Sequence, residues 1–385
     1  NTKVGYYLSN PIGITPETDD QDLRKRQELY LKKFARANNL EHVLQRIGYL
    51  MEACGEAASL SYLTDYFGET ILKVIPIKPF QTVFDDDISL YYYAEENEAG
   101  EEITKVEVYT DEKIYYYKEE GGVYIVDLEA HPAGEQPHLL GSNPLIQWKP
   151  NQEGHSCIKS VESIIDNIDK AYSDLSSEIE QFRLAYLAAY GTNFQATTEE
   201  EEEPGQSFFD RLKQTGFFEV NDVDAKLEFI TKKMEIESIM AFITKEEANI
   251  TRFAETYDSV SDRTGLGQLT NLGIHFLVNP IENNCNRTIP LVRQNIYKLL
   301  SQCQTLWNAA DPGLNFNHLE TEISFILNRP KNLIEESQTA KNLVGIVSNR
   351  TIHQRILTFT DASVEAERMK QEEDEAGAEY SGIGE

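Results

Sequence analysis

The sequence lacks any apolar run of about 18 residues, the length at which a helix can cross a membrane, so we expect no membrane span. Its first residues, NTKVGYYLSN, have no apolar core like that of a signal peptide. They include no initiator Met, so we expect a trimmed chain.

Cysteine is also scarce. The four cysteines form no CxxC pair, and we interpret them as small buried side chains of a protein made in a reducing cytoplasm. They are Cys54, Cys157, Cys285 and Cys303.

The usual motifs of catalysis are missing as well. The seven histidines show no HExxH or other metal-ligand spacing, and the chain has no GxxxxGK[ST] phosphate loop and no GxSxG elbow. Gly265, Gly267 and Gly273 have the wrong spacing for a dinucleotide loop. Only Asp85–Asp87 suggests a metal site, but consecutive side chains of a strand point to alternating faces, so at most two would converge. We interpret that segment as a solvated turn and predict neither an enzyme nor a cofactor.

Positive charge is in short supply. There are 35 basic residues against 65 acidic ones, which gives a net charge of −30. Tight binding to nucleic acid needs clustered Lys and Arg, so we do not expect it here. The acidic excess fits either a solvated surface or a surface that must let DNA pass without holding it, and composition does not separate the two.

The hydrophobic pattern of the first half predicts two helices followed by strands. The polar segment Asp19–Asn38 and the apolar-striped segment that begins at Leu40 have helical spacing. After them, short alternating segments separated by acidic or Gly-containing turns predict an antiparallel meander. The predicted strands are Ser59–Tyr62, Thr70–Pro76, Thr82–Phe84, Leu90–Ala94, Lys105–Thr110, Lys113–Lys118 and Val123–Leu128.

From Cys157 the spacing becomes helical and predicts one amphipathic helix of about 30 residues, roughly 45 Å long. Its apolar stripe contains Ile164, Ile168, Leu175 and Ile179. A second long helix is predicted from an apolar series that runs from Leu227 to Ile250. Between the two helices, the acidic run Glu199–Glu203 predicts an exposed loop. This order predicts a stalk of two helices with a small tip.

A polar segment, TYDSVSDRTGL, separates the stalk from a further long helix. Asn279 and Pro280 have the pattern of a helix cap followed by a proline at the first position. Pro290 falls inside the apolar pattern, where it removes a backbone hydrogen bond and should bend the helix. A strand is predicted over Glu322–Leu327, and a helix, a Gly turn and an acidic end follow.

Several short motifs follow one another in a fixed order along the chain. In the first half they are Tyr7-Leu-Ser-Asn-Pro11, Gly55 with Ala57, Ile77-Lys-Pro79, Val83-Phe-Asp85, Val106-Glu-Val-Tyr-Thr110, and Pro144-Leu-Ile-Gln-Trp148 with Asn151. Further along they are Ile164-Ile-Asp166, Ala171-Tyr-Ser-Asp174, Phe325, Arg329, Pro330, Gly345, Ser348, Thr351, Asp361, Glu365 and Glu367. Each motif is weak alone, but in this order they resemble those of the portal proteins of tailed double-stranded DNA bacteriophages, of the type found in long-tailed phages of Gram-positive hosts.

The resemblance implies an elongated α+β subunit with an antiparallel-sheet wing, a two-helix stem, a small clip and a helical crown. The implied segments are the wing 1–156, the first stem helix 157–190, the clip 191–228, the second stem helix 229–256, the tunnel loop with the start of a long helix 257–273, the rest of the wing with the kinked helix and a strand 274–329, the crown 330–372, and an acidic tail 373–385 that we expect to be disordered.

It also implies a function. The subunits would form a ring, typically of twelve, at one capsid vertex, through which DNA passes during genome packaging and ejection. The implied partners are the protein itself, viral double-stranded DNA bound weakly in the channel, the terminase large subunit, a head–tail connector protein, and the major capsid and scaffolding proteins, with no membrane. The protein would reside in the virion, and in the host cytoplasm during assembly.

Two groups of site residues come from the same resemblance. The stem stripe Ile164, Ile168, Leu175 and Ile179 would form the interface between subunits. The tunnel loop would face the DNA. Its residues are Asp258, Ser259, Ser261, Asp262, Arg263, Thr264 and Gly265. Leu269 stands where the family has a Lys, so we expect no basic contact from that position. A plain surface turn is the alternative interpretation of this loop.

Two other classes of protein remain open at this stage. One is an acidic scaffold or adaptor protein with a coiled-coil hairpin, which would have no pore loop and would assemble as a dimer or trimer. The other is a carboxylate-metal enzyme such as a nuclease, whose metal-dependent activity would be lost on changing Asp85 or Asp87.

Overall fold

The structure of the protein, a computed structural model, describes residues 2–66, 68–85, 88–96, 100, 102–182, 186–190, 226–230, 236–257, 270–330, 333–348 and 351–352. By their internal contacts the residues form two units, which we call the body (Asn1–Val161 with Thr251–Glu385) and the inserted unit (Glu162–Ile250). Helices and antiparallel sheets are both present, as the expected α+β class requires. None of the described helices has an apolar stretch long enough to cross a membrane.

In chain order, the α-helices are α1 (Thr2–Tyr7), α2 (Gln21–Asn38), α3 (Leu40–Cys54), α4 (Glu162–Phe182), α5 (Ile236–Phe253), α6 (Asn271–Ala310) and α7 (Leu333–Leu343). The strands are β1 (Gly13–Pro16), β2 (Ala57–Tyr66), β3 (Glu69–Ile77), β4 (Thr82–Asp85), β5 (Ile88–Glu96), β6 (Glu102–Tyr109), β7 (Lys113–Glu120), β8 (Val123–Val126), β9 (Glu135–Pro137), β10 (Leu145–Trp148), β11 (Tyr186–Tyr190), β12 (Lys226–Ile230) and β13 (Thr321–Ser324).

The strand predictions for the first half are confirmed, but the strands divide between two sheets. One sheet has the order β10-β2-β3, and the other has the order β4-β5-β6-β7-β8, with β9 also paired to β7. The division falls between β3 and β4 because Pro79 has no backbone N–H to donate and Phe80 takes a left-handed φ of 68°. A third pair, β1 with β13, joins the start of the chain to its C-terminal half.

The core of the body is built around one face of α6, the 40-residue helix. Its fully buried side chains repeat at helical spacing, and they lie in one cluster with the apolar face of α3 and with the tryptophans of β10 and α6. The central members are Ile47, Met51, Trp148, Ile281, Cys285, Leu299, Leu300, Cys303 and Trp307. The long helix therefore organises the body unit.

Three polar residues of α6, seven positions apart, bond to carbonyls in β10 and just beyond its two ends. Thr288 donates to the carbonyl of Pro150 (2.8 Å), Asn295 to Gln147 (2.7 Å) and Gln302 to Asn143 (3.0 Å). All three side chains are buried. Because buried carbonyl groups are costly without a partner, these bonds fix the position of the helix along the strand. We call them the α6 polar ladder.

The opposite edge of the same sheet is closed by one side chain of α2. The buried Asn38 amide donates to the carbonyl of Leu72 (2.9 Å), and its oxygen accepts from the N–H of Val74 (2.8 Å). A single side chain thus supplies β3 with both bonds that a neighbouring strand would give. At both edges of the three-stranded sheet, helix side chains therefore give hydrogen bonds to backbone groups that no strand pairs with.

The predicted stem helix over 157–190 is wrong at both ends. Helix α4 covers only Glu162–Phe182, and residues 157–161 form turns before it. Tyr186–Tyr190 is strand β11, which pairs antiparallel with Lys226–Ile230. Leu227 and Ile230 are therefore in strand β12, although the predicted second helix includes them. Lys226–Ile230 alternates polar and apolar residues, and the pairing of the two strands outweighs the helical spacing.

The predicted start of the long helix at Asn279–Pro280 is also wrong. Helix α6 begins at Asn271, where the Thr270 hydroxyl accepts a hydrogen bond from the N–H of Gly273 (3.2 Å). Val278 and Ile281 on either side of Pro280 are buried, and this packing holds the helix together across the proline. Pro290 lies inside the helix as expected, and the bend there stays a prediction.

All four cysteines are free thiols, two of them buried and two exposed. Cys285 and Cys303 are buried as expected, and burial raises the pKa of both thiols, that of Cys285 to about 12. Cys54 and Cys157 are exposed, so the expectation of burial was wrong for them. Cys54 ends α3 and Cys157 lies in the turns before α4, both outside the packed faces of the helices.

The glycine turn predicted near the C-terminus is present. Gly345 has a φ of 83°, which favours glycine, and the hydroxyl of Ser348 accepts from the N–H of Thr351 (3.3 Å) where the next helical residues begin. The acidic positions Asp361, Glu365 and Glu367 lie outside the described residues.

We predict that Asn38→Leu lowers the free energy of unfolding of the protein by about 2–4 kcal/mol, because it leaves a buried carbonyl and a buried N–H without partners. Urea unfolding followed by circular dichroism measures the change. Gln21→Leu, which replaces an exposed amide on the same helix, is the matched control. If both variants unfold at the same urea concentration, the side chain of Asn38 does not hold the edge of β3.

Candidate functional site

The predicted stem stripe lies on α4, on one side of the helix. At about 100° per residue, Ile164, Ile168, Leu175 and Ile179 fall within about 60° of one another. Ile168 is buried, Ile164 and Leu175 are half-buried, and Ile179 is 49% exposed. Tyr172, on the flank of the stripe, is exposed as well. Burial therefore declines towards the C-terminal end of the helix, and an apolar surface is left open there.

Helix α5 shows the same combination of one buried residue and exposed apolar neighbours. Ile243 is fully buried, while Ile236, Met240 and Phe242 are exposed. Met240 and Phe242 lie on opposite sides of Ile243, about 60° and about 100° round the helix. Exposed side chains of this size on both flanks are typical of a helix that packs against further helices.

A polar cleft of about 300 Å³ lies in the body, lined by the chain just before α4 and just after α5. The N–H of Cys157 donates to the carbonyl of Glu52 (2.9 Å), which joins the preceding segment to α3. Arg287 of α6 forms an ion pair with Glu255, and the amide of Asn284 donates to the carbonyl of Ala254 (3.3 Å). Both segments are thereby fixed to helices of the core.

Glu52 is the buried carboxylate of this cleft. It is 5% exposed and forms an ion pair with Lys3 of α1 at 2.7 Å. Burial raises the pKa of the Glu52 carboxyl above its usual range, and the nearby charge of Lys3 offsets only part of that rise. Sequence reasoning did not find this pair, because 49 positions separate its members and no local pattern links them.

The tunnel-loop residues Asp258–Gly265 lie outside the described residues, so their predicted role stays a prediction. The structure describes what flanks them. Tyr257 packs against the core of the body, and Thr270 caps α6 on the other side. Of the metal-site candidates, Asp86 and Asp87 also lie outside the described residues. Within the part that is described, no three His, Cys, Asp or Glu side chains group as metal ligands would.

Comparison with known proteins decides the family. Residues 1–379 match the family described as phage portal protein, SPP1 Gp6-like. The chain belongs to this portal family. The portal protein of Bacillus phage SPP1 is 26% identical over 207 residues, which is 50% of this chain and 41% of that relative. The match thus covers less than half of the relative's length.

The family match favours the portal interpretation over the scaffold protein and the metal-dependent nuclease, and it confirms the resemblance drawn from the motifs. Three of those motifs meet in the sheet β10-β2-β3. Trp148 pairs with Ala57, and Ile77 pairs with Ala58. Gly55 ends α3 with a φ of 87°, and a Cβ there would lie 2.2 Å from the carbonyl oxygen of Gly154. These portal motifs are therefore explained by packing within one subunit.

The raised pKa of Glu52 makes a prediction about pH. A group whose pKa is higher in the folded state binds its proton more readily there. Its stabilising effect is present below the unfolded value of about 4.3 and is lost as the pH rises through the folded value. Compared with Glu52→Gln, the wild type should therefore lose thermal stability as the pH is raised from about 4 towards neutrality.

The measurement is the difference in unfolding temperature between wild type and Glu52→Gln across this range. Glu41→Gln, at an exposed position on the same helix, controls for the loss of a carboxylate. A difference that stays constant with pH would contradict the assignment of a raised pKa to Glu52.

Proposed function

We propose that the protein assembles into a ring, typically of twelve subunits, at one vertex of a phage capsid. DNA passes through the ring during genome packaging and again during ejection. The ring is also the docking platform for the terminase large subunit and later for a head–tail connector protein, and the major capsid and scaffolding proteins surround it. Membership of the portal family is the main support for this proposal.

The observation that carries the ring is the exposed apolar surface of the inserted unit. The described residues of this unit form α4, most of α5, and the strand pair β11–β12, and large apolar side chains stay open on both helices. A pair of helices cannot bury such surface alone, so it needs neighbours. Contacts that use different surfaces on the two partners close into a ring when the rotation between copies permits.

The unit boundaries support the proposed division into segments. The inserted unit, Glu162–Ile250, corresponds to the proposed stem helices and the clip between them. The body corresponds to the wing and the start of the crown. In this proposal β11 and β12 stand where the stem passes into the clip, and α7 with the Gly345 turn opens the crown.

The acidic charge supports a conduit that holds DNA weakly. A net charge of −30 opposes the phosphate backbone, whereas tight binding would require clustered basic side chains. In the proposed tunnel loop, Arg263 is the cation that meets phosphates, and Asp258 and Asp262 keep the contact weak. DNA then slides through the ring without being retained.

We predict that Ile179→Asp abolishes or strongly reduces ring assembly, because it places a charge in an apolar interface at a cost of several kcal/mol. Ile179 is a cleaner site than the buried Ile168, since it is exposed in the single subunit and the fold should tolerate the change. Native mass spectrometry measures the oligomer.

The matched control is Ser173→Asp. Ser173 is an exposed residue of α4 that lies about half a turn round the helix from Ile164. The Ser173→Asp variant adds the same charge on the side of α4 that faces away from the stripe. Rings that persist undiminished in the Ile179 variant would show that the stripe does not join subunits.

We predict that deleting Ser259–Arg263 leaves ring assembly intact but abolishes or sharply reduces DNA packaging. The deletion removes polar residues with Val260 as its single apolar member, so little core packing is at stake. Electron microscopy checks the rings, and a packaging assay with purified proheads and motor measures the DNA protected from nuclease. Packaging at the normal rate and extent by rings with this deletion would contradict the tunnel-loop assignment.

A further inference from the structure

Strand β8, at the end of the larger sheet, exposes four consecutive apolar side chains. Val123 is 64% exposed, Tyr124 54%, Ile125 39% and Val126 47%. Leu128, just beyond the strand, is also exposed. A strand that covers a core buries every second side chain, but here both faces are open. This strand therefore contributes little to the packing of its own subunit.

The backbone of β8 also has an open side. A two-residue turn, Gly121-Gly122, joins β7 to β8, so Glu120 and Val123 form a hydrogen-bonded pair, and such pairs alternate along the strands. The N–H of Asp127 donates to the carbonyl of Tyr116 (2.9 Å), as this alternation requires for the residue two positions beyond Ile125. Val123 and Ile125 thus bond to β7, whereas the N–H and C=O of Tyr124 and Val126 point away from it.

No strand among the described residues pairs with this outer edge. The smaller sheet differs, because helix side chains bond to backbone groups at both of its edges, through Asn38 and the α6 polar ladder. Proteins usually protect a free edge with Lys, Pro or a bulge. The sequence VYIV has no Lys or Pro, and its register with β7 runs without a bulge.

The charges around β8 indicate what would cover it. The three lysines of β6 and β7 are already in ion pairs, with Glu95 (2.7 Å), Glu135 (2.6 Å) and Glu129 (3.1 Å). Glu119 and Glu120, which lie opposite Tyr124 and Val123, are exposed. A second copy has the same exposed carboxylates and the same overall net charge of −30, so a basic occupant fits better than self-pairing.

We propose that the outer edge of β8 is a docking site for an extended segment of a partner protein, which adds to the sheet as a further strand. The segment carries Lys or Arg beside alternating apolar residues. Its backbone bonds to Tyr124 and Val126, its apolar side chains cover the VYIV strand, and its basic side chains meet Glu119 and Glu120. The site lies on the body and does not depend on ring assembly.

The first test uses the full-length protein and a synthetic peptide that alternates valine with lysine. Amide hydrogen exchange, resolved to single residues, should slow at Tyr124 and Val126 when the peptide is added. Ile125, which already bonds to β7, should change little. A peptide that alternates valine with glutamate should bind at least about tenfold more weakly. Equal binding of both peptides, or unchanged exchange at Tyr124 under saturation, would overturn the proposal.

Two variants at one position separate the backbone contact from the side chain. Tyr124→Pro removes the outward N–H but no bond of the β7–β8 ladder, so the fold should persist, as thermal unfolding will check. It should weaken peptide binding by about tenfold or more. Tyr124→Thr keeps the N–H and should bind far more tightly than the proline variant. Equal binding by the two variants would overturn strand addition, and loss of self-association in Tyr124→Pro would instead identify a second copy as the occupant.

Discussion

The fold of the body depends on how the edges of its three-stranded sheet are closed. Asn295 of α6 bonds to a carbonyl of β10, and Thr288 and Gln302 bond to carbonyls just beyond its ends. Asn38 of α2 bonds to the carbonyl of Leu72 and to the N–H of Val74 at the edge of β3. Polar groups buried without partners cost more than most apolar contacts contribute, so these bonds select one register for each helix against the sheet. The apolar core fills the space between helices whose positions these bonds fix.

The surfaces left open form a contrasting group. Ile179 on α4, Met240 and Phe242 on α5, and Val123–Val126 on β8 expose apolar side chains that no described part of the subunit covers. Exposed apolar surface of this extent marks contacts with other molecules. The polar closures stabilise the subunit by itself, whereas the open surfaces are the ones that we propose to be covered on assembly. This division suits a protein of a portal family.

The charge of the chain favours the same division. At a net −30, copies of the subunit repel one another over distance, so the proposed ring would depend on apolar contacts at short range. In the proposed ring, the same charge would repel DNA along the channel wall, and at the proposed β8 site it would attract basic segments. One property of the composition therefore bears on assembly, on DNA transit and on the choice of partner.

The sequence by itself determined the helices α2 and α3, seven of the nine strands of the two larger sheets, the apolar stripe of α4 and the portal family, because each rests on local periodicity or on short motifs in a fixed order. It did not predict β9 and β10. The tertiary structure decided what depends on distant partners. It ended α4 at Phe182 and paired Tyr186–Tyr190 with Lys226–Ile230, since strand pairing outweighs helical spacing. It carried α6 through Pro280, joined Lys3 to Glu52, and left the edge of β8 open, because burial and pairing between remote segments cannot be read from spacing along the chain.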